Sequence, residues 1–203
     1  MRAELIALVA LALFATESPR ALAEDAAEFD AATGYRITRY RAPVPEVVPG
    51  AKRIFFDDVE ALAKSKEVIL LDVMSAEGGG ADPVTGQWRL VKPRQHIAGS
   101  HWLPNVGKGV LDAGLESYFR SNLERLTGGD KSRQIVIYCQ ADCWMGWNAA
   151  KRAANYGYTA VTWYPEGTDG WRDWDGTLVA AEPVAMDPAD AVRSGPQRLP
   201  EVP

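Results

Sequence analysis

The stretch Gln134-Ile135-Val136-Ile137-Tyr138-Cys139-Gln140-Ala141-Asp142-Cys143-Trp144 decides how this chain folds. Its first half is an unbroken apolar run, β-branched at three successive positions, which reads as a strand buried on both faces. The strand runs directly into Cys139. Helical patterning resumes at Asn148 and continues to Tyr156, with Gly157 as its stop. Strand, short turn and helix together form half of a βαβ unit.

The same alternation extends outward. Val68-Ile69-Leu70-Leu71-Asp72-Val73 is a second buried strand, and Thr159 to Trp163 is a last one. Ile54-Phe55-Phe56 reads as a short strand, followed by a helix from an Asp57 cap to Lys64, with Glu60 as capping-box partner. Residues 75–95 hold Gly78-Gly79-Gly80, Pro83, Gly86 and Pro93 and read as a long loop. Gly99 to Pro104 is a strand stopped by proline. Leu111 to Leu126 is an amphipathic helix ended by Gly128-Gly129. Strands alternating with helices predict an α/β fold, with a mostly parallel central sheet and helices on both faces.

The ends read differently. Arg2, the apolar run Leu5–Phe14 and Ala21-Leu22-Ala23 have the n-region, h-region and cleavage site of a signal peptide over residues 1–23. An extension follows at 24–50, broken by Pro43, Pro45, Pro49 and Gly50; the folded domain spans 51–178, and a proline-rich tail without core pattern spans 179–203. The expected product is a periplasmic protein with no membrane attachment after cleavage, in a compartment where thiols oxidise. Of 203 residues, 24% are charged and the net charge is −5, so no basic stripe serves nucleic acid. The two cysteines are Cys139 and Cys143, and five of the seven tryptophans (Trp144, Trp147, Trp163, Trp171, Trp174) fall within residues 144–174.

Ligands of open α/β sheets bind beyond the carboxyl ends of the strands, where Cys139 lies. A following helix supplies unpaired N–H groups and partial positive charge, which favour a thiolate, while the tight turn makes an anion cradle. The segment from Ile135 to Cys139, with Ala149-Ala150-Lys151-Arg152-Ala153 and Tyr156-Gly157-Tyr158 beyond it, resembles the active-site segment of rhodanese-like domains. His96-Ile97-Ala98-Gly99-Ser100 is similar to that family's His-Ile-Pro-Gly-Ala turn. Val68–Val73 resembles its strand ending in Asp-Val, and Glu166-Gly167 through Trp171 its Gly-Gly to Trp segment. More narrowly, Cys139 to Trp147 and Trp163 to Trp171 resemble the exported PQQ-dependent catabolism-associated CXXCW motif proteins, although three residues separate the cysteines here rather than two.

The resemblance implies a rhodanese-like fold over about residues 52–175. It also implies a persulfide-carrying nucleophile at Cys139 and an anion cradle from the amides of Gln140, Ala141, Asp142, Cys143 and Trp144. A small sulfur-containing or thiol substrate, no cofactor of its own, and a setting in PQQ-dependent alcohol oxidation follow, with quinoprotein dehydrogenases or their cytochromes as partners. Two departures stand out. The loop has no arginine to attract an anionic donor, and Asp142 adds negative charge instead; Asp72-Val73-Met74 also lacks the arginine of the family's Asp-Val-Arg.

Four readings of the cysteine pair remain open: a redox pair in which Cys143 resolves Cys139, sulfur transfer through a Cys139 persulfide, a structural disulfide, or a metal site. Closing a loop of about five residues adds only roughly 2 kcal/mol, a small return for a domain with its own core. Two thiolates with His101 or Met145 could hold Cu(I), and Cys139, Cys143, His96 and His101 form a nominal zinc set. His96 is expected in a turn at the far end of the sheet. Trp163, Trp171 and Trp174 read as packing residues, and Trp144 either packs or presents a face at the mouth of the site. A non-catalytic binding or assembly module is the alternative function, with the extension and aromatic rim as its contact surface.

Overall fold

The computed structural model describes residues 28–65 and 67–194; the expected signal peptide lies outside them. Strands in chain order are β1 (Lys52–Arg53), β2 (Ile69–Asp72), β3 (Gly80–Ala81), β4 (Trp88–Arg89), β5 (Gln95–Ile97), β6 (His101–Trp102), β7 (Ile135–Tyr138), β8 (Val161–Tyr164) and β9 (Leu178–Ala180). Helices are α1 (Phe56–Ser65), α2 (Ala113–Thr127), α3 (Trp144–Asn155), α4 (Gly167–Asp173) and α5 (Pro188–Arg193).

The apolar runs make the centre of a five-stranded sheet of order β1-β8-β7-β2-β6, parallel at every pairing. Because side chains alternate across a strand, each run feeds two cores. Leu71, Ile137 and Trp163 face Leu115, Phe119 and Leu123 of α2 and Ala149, Ala150 and Ala153 of α3. Leu70, Val136, Tyr138 and Tyr164 face the other way, onto Val59 of α1 and Trp171 of α4. The expected α/β architecture, rhodanese-like with helices on both faces, is therefore the observed one. Helix α2 carries the ends its sequence announces: Asp112 accepts a bond from the Leu115 N–H, and Gly128 closes it at φ +66°. Among the described residues no helix is long and apolar enough to cross a membrane.

Several local expectations change. The first strand ends at Arg53, and Phe56 opens α1, where it packs on Trp171 at 5.2 Å; Asp58, not Glu60, reaches back to the Phe55 N–H at 3.2 Å. An edge strand needs only the short ladder that β8 offers, so Phe56 is freed for packing, while Phe55 stays exposed. The loop at 75–95 contains the β3–β4 hairpin. Helix α3 starts at Trp144, four residues before the expected Asn148. Gly146 masks that start in the sequence; in the fold it keeps the helix close to Trp163, since a Cβ there would sit a tight 3.1 Å from Trp163 Nε1.

The ends are not free of the core. Tyr35 and Val48 are buried from the extension. In the segment read as a tail, β9 pairs antiparallel with β5, Ala181, Met186 and Ala191 are buried, and α5 docks on α2. A six-residue helix is too short to show a periodic apolar face, which is why composition alone hid it.

Candidate functional site

Strand β7 delivers Cys139 to its carboxyl end, and the chain turns through Gln140, Ala141 and Asp142 to Cys143, the N-cap of α3. Asp142 makes the reversal at φ +53°, a left-handed conformation that aspartate tolerates better than most residues. The turn brings the two cysteines to a Cα separation of 6.2 Å, and they form a disulfide. Gln140 and Ala141 are half-buried and Asp142 is exposed, whereas Cys139 keeps 1% of its surface and Cys143 5%. The sulfurs are therefore sealed in this state.

Two covers make the seal. On one side the Met74 thioether lies 3.4 Å from Cys139 Sγ. Its backbone is pinned, the N–H donating to Asp72 Oδ1 at 3.0 Å and the carbonyl accepting from Trp102 Nε1 at 2.8 Å. On the other side the extension crosses the loop as a short antiparallel bridge, Arg41 opposite Cys143. The Trp144 N–H donates to the Tyr40 carbonyl at 2.8 Å, and the Ala42 N–H to the Asp142 carbonyl at 2.9 Å. Trp144 Nε1 bonds the Pro43 carbonyl at 3.0 Å and Trp147 Nε1 the Val47 carbonyl at 2.9 Å. Trp144 also packs edge-on against Phe29, beneath the Arg36 guanidinium. Its face is thus given to the protein's own extension. Trp163 and Trp171 are buried as expected, but Trp174 is 66% exposed, stacked on Phe56.

The extension and Asp169 also use part of the amide cradle. The Ala141 N–H donates to Asp169 Oδ2 at 3.2 Å, and the Trp144 N–H is taken by Tyr40. Below the loop, the Cys139 carbonyl accepts from the Thr168 N–H at 3.1 Å and from Arg94 Nη2 at 3.3 Å. Gly167 allows this approach, because a Cβ there would fall 2.6 Å from the same carbonyl oxygen.

Arg94 is the cation the sequence withheld. Its guanidinium grips the fully buried Asp72 with two nitrogens, Nη2 to Oδ1 at 2.8 Å and Nε to Oδ2. Burial pushes the Asp72 carboxyl above its usual range, and the charge and hydrogen bonds of Arg94 oppose it. Nothing in Pro93-Arg94 marks this role, since its partner lies 22 residues upstream. His96, expected at the far end of the sheet in a turn, is instead in β5 within electrostatic reach of Asp72 and Arg94. Burial lowers its pKa, the Asp72 charge partly offsets this, and Nδ1 has no partner among the described residues. The turn after it is anchored by Tyr138, whose hydroxyl accepts from the Ile97 N–H at 3.1 Å and meets Ser100 Oγ at 2.6 Å.

A cleft of about 260 Å³ opens beside the loop, lined by Met74, Arg94, Gln140, Thr168, Asp169 and Arg172 among others. Asp169 is paired there with Arg172 at 2.9 Å and Arg41 at 3.5 Å. Lys151 and Arg152 lie elsewhere, bonded to the carbonyls of Thr33 and of Val106, Lys108 and Gly109. Among the described residues no group of three or more His, Cys, Asp or Glu side chains is placed to hold a metal ion, so the nominal Cys2His2 set is not assembled. Met145 is buried in α3, where its Cβ and carbonyl abut Gly107. A strand-end cysteine, a second cysteine bonded to it and a helix N-terminus are an arrangement that can support thiol and sulfane-sulfur chemistry.

Comparison with known proteins gives a family match and several structural likenesses. The rhodanese-like domain family matches residues 55–173. A thiosulfate sulfurtransferase from Pseudomonas aeruginosa is similar over 68% of this chain and 22% of its own, at 16% identity and a TM-score of 0.46. A human single-domain sulfurtransferase is similar over 61% of this chain and 96% of its own, at 21% identity and a TM-score of 0.40. The polysulfide-sulfur transferase homodimer from Wolinella succinogenes is similar over 64% and 79%, at 16% identity and a TM-score of 0.40. The chain thus spans only 22% of the Pseudomonas enzyme. No curated protein matches. The family match takes in more than half of the chain, including four strands of the sheet and the whole cysteine turn, so this protein belongs to the rhodanese-like domain family.

Proposed function

We propose that this is an exported, periplasmic rhodanese-like protein that uses Cys139 and Cys143 for sulfur transfer or thiol redox chemistry, as an accessory to PQQ-dependent alcohol oxidation. The observation that carries the chemistry is the Cys139–Cys143 disulfide at the carboxyl end of β7 and the N-terminus of α3. In the reduced protein, the Cys139 thiolate attacks the outer sulfur of a sulfane-sulfur donor, which departs with the bonding electron pair and leaves a persulfide. Cys143 thiolate then attacks Cys139 Sγ, the disulfide forms, and hydrosulfide leaves. An external thiol reduces the disulfide with two electrons and restores the pair. The leader at residues 1–23 supports the location, and the resemblance of Cys139–Trp147 and Trp163–Trp171 to the CXXCW motif proteins supports the setting and a quinoprotein dehydrogenase or cytochrome partner.

Intact mass of the protein purified from periplasm tests this. The isolated chain should be about 2 Da lighter than its reduced form, and reduced Cys143→Ser treated with thiosulfate or polysulfide should gain about 32 Da at Cys139. A second reading, a binding or assembly module with a structural disulfide, is favoured by one observation: the extension seats over the loop and leaves Cys139 1% exposed. No persulfide, together with an unchanged cellular phenotype in Cys139→Ser and Cys143→Ser, selects that reading and ends the first.

A further inference from the structure

Three sulfur atoms meet at the end of the sheet, and the thiol chemistry uses only two. Met74 follows β2 by two residues, and its side chain could leave for the open cleft it lines. Instead its Sδ touches Cys139 Sγ at 3.4 Å. Both backbone polar groups of Met74 are tied down, so the thioether is held in place rather than left to wander. The alternatives around it are few. Among the described residues no third His, Cys, Asp or Glu joins the cysteines at metal-binding separation. The donor set is thus purely sulfur and low in number, which suits a soft monovalent ion and not zinc, whose structural sites take four ligands.

We propose that the reduced protein binds one Cu(I) through Cys139 Sγ, Cys143 Sγ and Met74 Sδ. This goes beyond the sulfur chemistry above, although it engages the same cysteines. An external dithiol first reduces the disulfide, giving up two electrons and two protons and becoming a disulfide itself. Cu(I) then displaces the two thiol protons and accepts the thioether lone pair, with no change in oxidation state. The resulting centre carries one net negative charge. It sits at the N-terminus of α3, a twelve-residue helix whose macrodipole favours an anion. Entry is from the cleft, where half-buried Met74 is the first of the three sulfurs a metal meets. The Tyr40–Ala42 bridge on the opposite side keeps water from the thiolates.

The full chain, reduced and held anaerobic, is titrated with Cu(I) against a chromophoric Cu(I) chelator, and its copper is examined by X-ray absorption. The expected result is one Cu(I) per chain with three sulfur neighbours. Met74→Leu keeps the volume of the side chain and both cysteines. It should show two sulfur neighbours and an affinity at least about ten-fold lower, since even outer-shell partners of metal ligands are worth that much. Cys143→Ser should lose more. A wild-type protein with no stoichiometric Cu(I), or with two sulfurs and an affinity equal to that of Met74→Leu, overturns the site. If Met74→Leu does not fold by circular dichroism, the sulfur count of the wild type decides alone. Persulfide formation is read by mass on metal-free protein, so either proposal can fail while the other stands.

Discussion

Replacing Arg94 with leucine removes the guanidinium that grips Asp72, a carboxylate with no exposed surface. Breaking one half of a buried pair costs about 3–5 kcal/mol because the remaining charge is left in a medium that cannot solvate it. Protonation sets a ceiling on the loss. Holding a carboxyl with an ordinary pKa of 3.8 neutral at pH 7 costs about 4 kcal/mol. For a chain of this size that corresponds to a fall in Tm of roughly 8–16 °C. The pH dependence follows from the sign of the shift. Asp72 already has a raised pKa in the folded protein, and losing Arg94 raises it further, so the unfolded state releases its proton first as the pH climbs. The stability deficit of Arg94→Leu should be greatest at neutral pH. It should shrink as the pH falls through the folded pKa of Asp72 towards 3.8. Urea unfolding of the single variants and of Arg94→Leu/Asp72→Leu, at pH 7 and near pH 4.5, measures all of this. The double variant should lie within about 1 kcal/mol of wild type, since an apolar pair needs no solvation. A single-variant loss below about 1 kcal/mol, or one that does not change with pH, would refute the buried pair as the support of the cysteine loop.

Three further outcomes follow from the same structure. Trp144→Ala removes a buried indole and its bond to the Pro43 carbonyl; it should cost about 3–5 kcal/mol and speed amide exchange at Ala42, read by hydrogen exchange and mass spectrometry. Gly114→Ala should destabilise by about 1–3 kcal/mol in thermal unfolding, despite alanine's better helix propensity, because its Cβ would lie 2.1 Å from the Asp190 carbonyl of α5. A gain in stability there would mean that α5 is not docked. Burial lowers the pKa of His96 and of His101, so the unfolded chain binds their protons more readily; stability should decline as pH falls from the ordinary histidine value of 6.5. The urea midpoint of His96→Gln should change less between pH 7.5 and pH 5.5, values chosen to straddle that pKa.

The parts of the site that lie next to one another in the chain were open to reading. Tyr138, Cys139, Asp142 and Cys143 occupy the strand end, turn and helix start that their order implies, and the two sulfurs are as close as a C-x3-C spacing allows. What stayed hidden came from far along the chain. Met74 meets Cys139 across 65 residues, and Trp144 finds the Pro43 carbonyl across 101. The sequence leaves Trp144 between packing and an open mouth because its partners are backbone carbonyls, which every residue carries and no side-chain pattern advertises. The start of α3 is hidden for a related reason: Gly146 is a poor helix former, and its close approach to Trp163 comes only with the fold.

Apolar runs and helix caps are local statements, and they determined this protein's sheet, its two cores and the end of the sheet where cysteine chemistry belongs. Whether that chemistry is open or sealed, and which cation supports it, was decided by tertiary structure. The Asp72–Arg94 pair, the Met74 thioether and the Tyr40–Ala42 bridge all depend on distances between segments that folding alone brings together. A buried charge or a capped sulfur has its value only in the low-dielectric interior that the whole fold creates, so its role cannot be read from the residue that carries it.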